Sequence, residues 1–237
     1  MTEPKIMILD IEASNLSANF GHMISFGYKW LGAKEVYVKA INDFKGFKKN
    51  HVDDEGLVRW AAGEMTKADI WVTWYGKGFD IPYIQTRCLK HKIGILPETP
   101  HVDGWAVAKY KMRMTSNRLE SVATFLGVSS KTHLDGNIWD RAAAGYEKDI
   151  KYIVKHNKED VLSLERVYKI ILPLISTHPN VNMLTGRAMA CPNCGSKQVQ
   201  SRGWRVSRAR KARRLQCQKC GSWSKGPSMS VAGVDIR

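Results

Sequence analysis

Acidic side chains that could hold metal ions recur in three short segments of this 237-residue chain. The segments are LDIEASNL with Asp10 and Glu12, WYGKGFDIP with Asp80, and YIVKHNKEDVLSLERVY with His156 and Asp160. Asp10 and Glu12 are two positions apart on a predicted strand, so both side chains leave the same face. Carboxylate oxygens are the ligands that Mg²⁺ and Mn²⁺ prefer. Four carboxylates and a histidine in this order indicate a two-metal phosphodiesterase.

Each segment, taken alone, also has a purely structural interpretation. The acidic pair on the strand could face water at the end of that strand. Asp80 stands where a helix is predicted to begin, and aspartate commonly caps the first turn of a helix. His156 and Asp160 are four residues apart on a predicted helix, with Tyr152 one turn earlier, and could form its polar side.

Two pairs of cysteines near the C-terminus have the spacing of a zinc site. Four thiolates in two C-x2-C motifs, separated by 22 residues, suit tetrahedral Zn²⁺. The four ligands are Cys191, Cys194, Cys217 and Cys220. Gly195 and Gly221 follow the second cysteine of each pair, where a tight turn around the metal needs a positive φ angle. Two structural disulfides are the alternative, but nothing in the sequence suggests secretion.

The positive charge of the chain is concentrated in the same C-terminal region. Of the formal charge of +15, residues 187–237 contribute +11, with 12 lysines and arginines and one acid, Asp235. Such a concentration predicts a polyanionic partner, most often nucleic acid. A membrane surface is the weaker alternative, because no basic amphipathic helix is evident. With no secretory signal and no long apolar run, we expect a cytoplasmic protein without a membrane partner.

A run of basic residues lies between the two cysteine pairs, in the segment 201–216. Trp204 and Trp223 could stack on unpaired bases, or they could simply pack within the metal-bound unit. The cationic side chains could contact phosphates in a sequence-independent way, or they could form a solvated charge run. The candidate nucleic-acid contacts in the run are Trp204, Arg205, Arg208, Arg210, Lys211, Arg213 and Arg214.

The elements that must position these residues follow from the apolar periodicity. Strands are predicted at residues 5–12, 22–30, 35–40, 68–75 and 101–103, and helices at 56–68, 82–91, 119–127 and 148–172. This order predicts an α/β fold, with an antiparallel hairpin plus parallel strands in a mixed sheet flanked by helices. We expect a catalytic domain over residues 1–176, a linker over 177–189, a small zinc ribbon over 190–226 and a flexible tail over 227–237.

The three acidic segments, in this order and context, resemble the motifs of the DEDD family of 3′→5′ exonucleases. LDIEASNL resembles its D-x-E motif, with Leu16 at the apolar position. WYGKGFDIP resembles N-G-x-x-F-D-x-P, with Tyr75 where asparagine is usual. HNKEDV resembles Y-N-x-x-D-V, with His156 in place of tyrosine. The segment RLESVATFLGVSSK (118–131) resembles a connecting helix of the polymerase-B-like branch, and the resemblance covers roughly residues 5–173.

The resemblance implies an RNase H-like fold and two Mg²⁺ or Mn²⁺ ions about 4 Å apart. It implies that Asp10 bridges both ions, that Glu12 and Asp160 hold the ion that activates water, and that Asp80 supports the other. The C-terminal segment is similar to zinc ribbons attached to transposases and other DNA-handling proteins, which implies one structural Zn²⁺ and a nucleic-acid grip.

The resemblance also assigns roles around the metals. His156 could accept the proton of the attacking water, since histidine side chains titrate near neutrality. Tyr152 is the reserve candidate for orienting that water. Leu16 and Phe79 would pack against the terminal nucleotide, with ordinary core packing as the alternative.

The expected activity is 3′→5′ exonuclease action on nucleic acid, with DNA favoured over RNA. Two alternatives stay open: a structure-specific endonuclease of the same broad fold, and a catalytically inactive nucleic-acid-binding adaptor. Because no polymerase-sized region is present, a proofreading role would need a polymerase or another replication or repair protein as partner.

Overall fold

The computed structural model describes residues 3–128, 136–208 and 210–229. The chain divides into two compact units. The first unit is Lys5–Tyr168, and the second consists of Lys169–Arg237 together with Met1–Pro4. The first unit therefore ends eight residues before the domain boundary expected at residue 176.

A five-stranded mixed sheet forms the centre of the first unit. Its strands lie in the order β3-β2-β1-β4-β5. The β1–β2 and β2–β3 pairs are antiparallel, whereas β1–β4 and β4–β5 are parallel. The strands are β1 (Ile6–Ala13), β2 (Met23–Trp30), β3 (Tyr37–Ala40), β4 (Ile70–Thr73) and β5 (His101–Asp103). This arrangement confirms the predicted hairpin and the predicted mixed sheet.

Burial of the central strand explains why the sequence folds around it. Met7, Ile8 and Leu9 of β1 are each 0% exposed, since β1 has β2 on one side and β4 on the other. Full burial of side chains of this size contributes about 1.5–3 kcal/mol each. The strand that carries Asp10 and Glu12 is therefore firmly packed at the centre of the sheet.

Helices precede and follow the parallel strands. They are α1 (Glu55–Met65), α2 (Asp80–Lys90), α3 (Gly104–Lys111), α4 (Leu119–Phe125), α5 (Gly136–Ala143) and α6 (Glu147–Ile171). The four predicted helices correspond to α1, α2, α4 and α6. The connecting segment predicted by resemblance contains α4, and its residues 129–131 lie outside the described residues.

Two helices of the first unit and the end of one strand are among the differences from the prediction. The helices α3 and α5 were not predicted, because each begins at a glycine, a poor helix former, and α3 has no single apolar face. The strand β4 ends at Thr73, two residues before the predicted end, because Tyr75 adopts a left-handed φ of 66° that leaves the extended conformation.

The second unit contains a small antiparallel sheet. Its strands, in the order β6-β7-β8, are β6 (Val199–Val206), β7 (Lys211–Cys217) and β8 (Trp223–Met229). A short helix, α7 (Val181–Thr185), lies within the segment expected to be a linker. The last strand extends past residue 226, and residues 230–237 of the expected tail lie outside the described residues.

Within the residues that the structure describes, no helix combines the length and the apolar character that a membrane span requires.

Candidate active site and cysteine cluster

The strand β1 and the helix α6 meet at Asp10. The side-chain amide of Asn157, which is completely buried, donates from Nδ2 to Asp10 Oδ2 at 2.7 Å. Asp10 pairs with Gly27 across the β1–β2 ladder. A Cβ atom at Gly27 would collide with the Asn157 side chain. A glycine on β2 is therefore what allows α6 to approach the sheet at this point.

Asp80 reaches the same strand from α2. It lies in the first turn of that helix and is only 3% exposed. Its Oδ1 atom accepts a hydrogen bond from the backbone N–H of Ile11 at 3.1 Å. The residue before the helix is Phe79, and no side chain caps it. The capping interpretation of Asp80 is therefore replaced by a direct link to β1, between Asp10 and Glu12.

The turn before Asp80 is held by a carboxylate that the sequence did not single out. Asp103, at the end of β5, accepts hydrogen bonds from the backbone N–H groups of Tyr75 at 2.9 Å and of Lys77 and Trp105 at 3.1 Å. These bonds stabilise the left-handed conformation of Tyr75 and the start of α3. The signal available in the sequence is an aspartate directly before Gly104, which is typical of a helix N-cap.

The helix α6 presents a histidine and a carboxylate one turn apart. His156 Nε2 lies 3.6 Å from Asp160 Oδ2 and 4.0 Å from Glu12 Oε1. Glu12, His156 and Asp160 offer ligand atoms that all lie within 4.8 Å of one another. The ring of Trp139, on α5, meets the His156 ring edge to face at a centroid distance of 5.6 Å. No feature of the sequence pointed to this tryptophan.

Burial and neighbouring carboxylates raise the pKa values of Asp10 and Asp80. Burial, followed by the charges of Glu12, Asp80 and Asp160, raises the pKa of Asp10 well above its usual range, against the opposing hydrogen bond from Asn157. Burial raises the pKa of Asp80 to about 7, although the Ile11 N–H bond opposes the shift. Carboxylates that destabilise one another's charge form a donor set that suits hard divalent cations.

The other residues expected at the site differ in their surroundings. Leu16 is 85% exposed in the loop between β1 and β2, so core packing does not describe it. Phe79 is partly buried against the main core, and its ring lies 5.4 Å from that of Tyr83. Tyr152, on α6, is 46% exposed. The structure thus brings together the five proposed catalytic residues and leaves Leu16 on the surface.

The four C-terminal cysteines form one cluster. The Sγ atoms of Cys191 and Cys220 are 3.7 Å apart, and those of Cys194 and Cys217 are 3.6 Å apart. These distances exceed the roughly 2.05 Å of a disulfide, and all four thiols are free. Sulfur atoms at about 2.3 Å from a tetrahedral zinc ion would be roughly 3.8 Å apart. The cluster therefore has the dimensions of a zinc-thiolate site.

The backbone around the cluster supports the same conclusion. Gly195 and Gly221 adopt φ angles of 68° and 78°, as expected for the turn after each C-x2-C pair. Their N–H groups donate to the carbonyls of Cys191 and Cys217 at 2.8 and 3.0 Å. Burial raises the pKa of Cys191 to about 11, whereas backbone N–H donors overcome burial and lower that of Cys217 to about 7.

The basic residues between the cysteine pairs lie on the β6–β7 hairpin. Trp204 has Lys211 Nζ at 4.3 Å and Arg213 Cζ at 4.1 Å from its ring centre, which is cation–π geometry. Trp223 is 52% exposed. The exposed cations of the hairpin include Arg202, Arg205, Arg208, Arg210, Arg213 and Arg214. The small sheet therefore presents several cations and two aromatic rings.

Comparison with known proteins places the fold in a family. None of the curated proteins compared with the chain matches it. A family B DNA polymerase from the hyperthermophilic archaeon Pyrobaculum calidifontis has a similar structure, with a TM-score of 0.57 and 14% sequence identity. The similarity covers 88% of this chain but only 32% of the polymerase. Residues 7–172 match the family model of the RNase_H superfamily, which is more than half of the sequence. The chain belongs to the RNase_H superfamily.

Proposed function

We propose that this protein is a metal-dependent 3′→5′ exonuclease that hydrolyses phosphodiester bonds of nucleic acid, with DNA favoured. Membership in the RNase_H superfamily supports a nuclease and therefore a nucleic-acid substrate. The observation that carries the proposal is the convergence of Asp10, Glu12, Asp80 and Asp160 beside His156. The 3′→5′ direction is supported by the resemblance of the three motifs to the DEDD exonucleases.

The four carboxylates would hold two Mg²⁺ or Mn²⁺ ions. Asp10 is the best candidate to bridge both ions, because its pKa responds to the charges of the other three carboxylates. Glu12 and Asp160 would hold one ion, and Asp80 would support the other. When bound, such ions stabilise the attacking and leaving oxygens of an in-line displacement.

His156 is the group that we assign to proton transfer. Its Nε2 atom faces Glu12 and Asp160, which would stabilise the imidazolium formed when Nε2 accepts the proton of the attacking water. The ring of Trp139 restricts its rotation from one side. Tyr152, one turn earlier on α6, is the reserve candidate for orienting the water.

The surface around the carboxylates would position the end of the strand. The exposed side chain of Leu16 lies on the loop that follows β1, and the partly buried ring of Phe79 lies directly before Asp80. Both could pack against the terminal nucleotide. In this arrangement the scissile bond would face the carboxylates, while the rest of the strand leaves the site.

The cysteine cluster would bind one structural Zn²⁺, and the basic hairpin would grip the substrate strand. The sulfur spacing and the positive-φ glycines support the metal site, and the concentration of cations supports the grip. Reduced thiols suit a cytoplasmic protein. A polymerase or another replication or repair protein is the partner that a proofreading role would require.

A product analysis tests the proposed function. The full-length protein, with Mg²⁺ or Mn²⁺, is incubated with single- and double-stranded DNA and RNA that carry a 5′ label. Stepwise shortening from the 3′ end is the expected result, strongest on DNA. Discrete internal cuts would instead indicate a structure-specific endonuclease, and binding without any cleavage would indicate an adaptor.

A further inference from the structure

A cleft in the C-terminal unit (Lys169–Arg237) is lined by none of the residues assigned to catalysis. Its volume is about 800 Å³, within the range of roughly 300–1,000 Å³ that is typical of small-ligand sites. One wall is formed by the residues around α7, including His178 and Asn182. The opposite wall is the small sheet, which contributes Arg205, Arg214 and Trp223.

The strand register divides the basic residues of the hairpin between two faces. Trp204 pairs with Arg213, whereas Arg205 pairs with Ala212. Because side chains of neighbouring positions on a strand point to opposite faces, the two pairs point in opposite directions. Arg205 and Arg214 line the cleft, whereas Trp204 and Arg213 share the other face.

The cleft concentrates positive charge, and no carboxylate lines it among the residues that the structure describes. Arg214 on β7 lies directly opposite Lys225 on β8, and both side chains line the cleft. Like charges in such cross-strand pairs are destabilising, and an anion between them removes that cost. The sequence contains no aspartate or glutamate between residues 166 and 234, so no carboxylate from this region can take that place.

An aromatic surface lies beside these cations. The Arg214 guanidinium carbon is 5.8 Å from the centre of the Trp223 ring, which is 52% exposed. Arg214 Nε donates to the carbonyl of Arg202 at 3.2 Å, which orients the guanidinium and leaves its remaining N–H groups for a ligand. A phosphate and an aromatic base together match this pair of neighbours.

We propose that the cleft binds one unpaired nucleotide of a single-stranded nucleic acid. The base stacks on Trp223, and the adjoining phosphate lies between Arg214 and Lys225, with Arg205 contacting the next phosphate. A paired base inside a duplex cannot offer its face to the indole ring, so the cleft selects single strands. This inference rests on the proposed function, because it specifies the form of substrate that the C-terminal unit holds.

Two neighbouring arginines provide a matched comparison. R213A and R214A each remove one positive charge from adjacent residues on opposite faces, so any general electrostatic loss is the same for both. W223A and W204A form a second matched pair.

Binding of the full-length protein to a labelled 15-nucleotide single strand and to a duplex of equal length is measured without added Mg²⁺ or Mn²⁺, so cleavage does not interfere. Zinc content shows whether each variant has folded.

The expected result is that W223A weakens single-strand binding about tenfold, whereas duplex binding changes less than twofold. R214A should weaken single-strand binding more than R213A does. A strand with one 5-iodouracil, irradiated on the protein, should crosslink to Trp223 and not to Trp204. If W223A loses zinc, the inference is tested with W223F and with the crosslink instead. W223F should retain most of the single-strand affinity, because phenylalanine keeps an aromatic face.

Equal losses in R213A and R214A, equal losses on single strands and duplexes, or a crosslink at Trp204 would overturn the inference. Cleavage with Mg²⁺ is measured in parallel on the wild-type protein. If the wild-type protein cleaves but the cleft variants bind as tightly as the wild type, only the inference about the cleft is refuted. If binding depends on the cleft residues but the wild-type protein does not cleave, the proposed function is refuted and the inference about the cleft still holds.

Discussion

The amide of Asn157 donates to Asp10 Oδ2 at 2.7 Å and is completely buried, so α6 and β1 are joined at the centre of the carboxylate cluster. This hydrogen bond lowers the pKa of Asp10 against the opposing effects of burial and of three neighbouring carboxylates. It fixes one oxygen of the carboxylate and favours its ionised form. In the proposed metal site, Asn157 would therefore orient the Asp10 carboxylate for a cation.

The first prediction concerns this amide. N157A should raise the pKa of Asp10 further, which moves the rise of the cleavage rate at subsaturating Mg²⁺ to higher pH. Loss of such a supporting partner typically costs about 10–100-fold in metal affinity or activity. The measurement is the pH profile of single-turnover cleavage, with melting temperature as the control for folding. If the pH profile of N157A has the same midpoint as that of the wild type, Asn157 does not act on the Asp10 carboxylate and only packs against Gly27.

The second prediction concerns the pH dependence of metal binding. Because burial raises the pKa of Asp80 to about 7, much of the metal-free protein holds a proton on Asp80 below that pH. A cation must displace this proton, so Mg²⁺ affinity should rise with pH between about 6 and 8 and then level off. Calorimetry in buffers of different ionisation enthalpy would detect the released proton. D80N should reduce both the slope and the proton release, with the remainder coming from Asp10, whose pKa is also raised. A D80N protein with an unchanged slope would contradict this assignment.

The third prediction concerns His156. If Nε2 accepts the proton from water, the single-turnover rate should rise with pH through the range in which histidine titrates and then become constant. H156A should lose this inflection and roughly 10²–10⁴-fold in rate. H156Y should recover part of the rate, since tyrosine stands at this position in the related motif. An H156A protein with the wild-type profile would transfer the role to Tyr152.

The fourth prediction concerns stability. Arg87 and Asp54 are 1% and 0% exposed and form a two-point ion pair, with Nη2–Oδ1 and Nε–Oδ2 distances of 2.6 and 2.9 Å. Arg87 Nη1 also donates to the carbonyls of Ala18 and Gly21 at 3.1 and 2.8 Å. R87M leaves the buried Asp54 carboxylate with only His91 Nε2, at 2.7 Å, and the Met23 N–H, at 2.8 Å, as partners. Loss of the guanidinium should cost about 3–5 kcal/mol of unfolding free energy.

The pH dependence of this ion pair has a definite sign. Burial alone would raise the pKa of Asp54, but the hydrogen bonds from Arg87 and from the Met23 N–H outweigh it and lower the pKa. The stabilisation is therefore complete above the unfolded-state value of about 3.9 and is lost as the pH falls through the lower folded-state value. Urea unfolding at pH 7 and pH 3 measures both effects. A wild-type protein and R87M that unfold together at pH 7 would contradict the prediction.

The sequence predicted the strand and the helices that carry the carboxylates. It predicted less well which side chains surround those carboxylates. The alternation along β1 placed Asp10 and Glu12 on one face, and the four-residue spacing placed His156 and Asp160 on one helix face. Local periodicity contains no information on the Asp103 carboxylate, whose three backbone partners come from the loop before α2 and from the first turn of α3. It also could not reveal Trp139, because α5 starts at a glycine and contacts His156 only through tertiary packing.

In the C-terminal unit too, local features could be predicted from the sequence, whereas features that depend on strand pairing could not. The cysteine spacing and the two glycines predicted the cluster, because metal-ligand geometry is a local property of each C-x2-C turn. Which of Arg213 and Arg214 faces the cleft depends on the strand register, which is irregular between Ala212 and Arg214. No feature of the basic run specifies that register, so the cleft could be seen only in the folded unit.

The most direct test of the active-site assignment compares the wild-type protein with D160A on one DNA strand labelled at either end. With Mg²⁺, the wild-type protein should release the 3′ label at once as a mononucleotide and convert the 5′-labelled strand into a ladder of shortening products. D160A should retain the fold and the binding of the strand but produce neither pattern, because one ligand of the metal cluster is lost. Cleavage by D160A at the wild-type rate would contradict the account, and so would a wild-type protein that releases the 5′ label first.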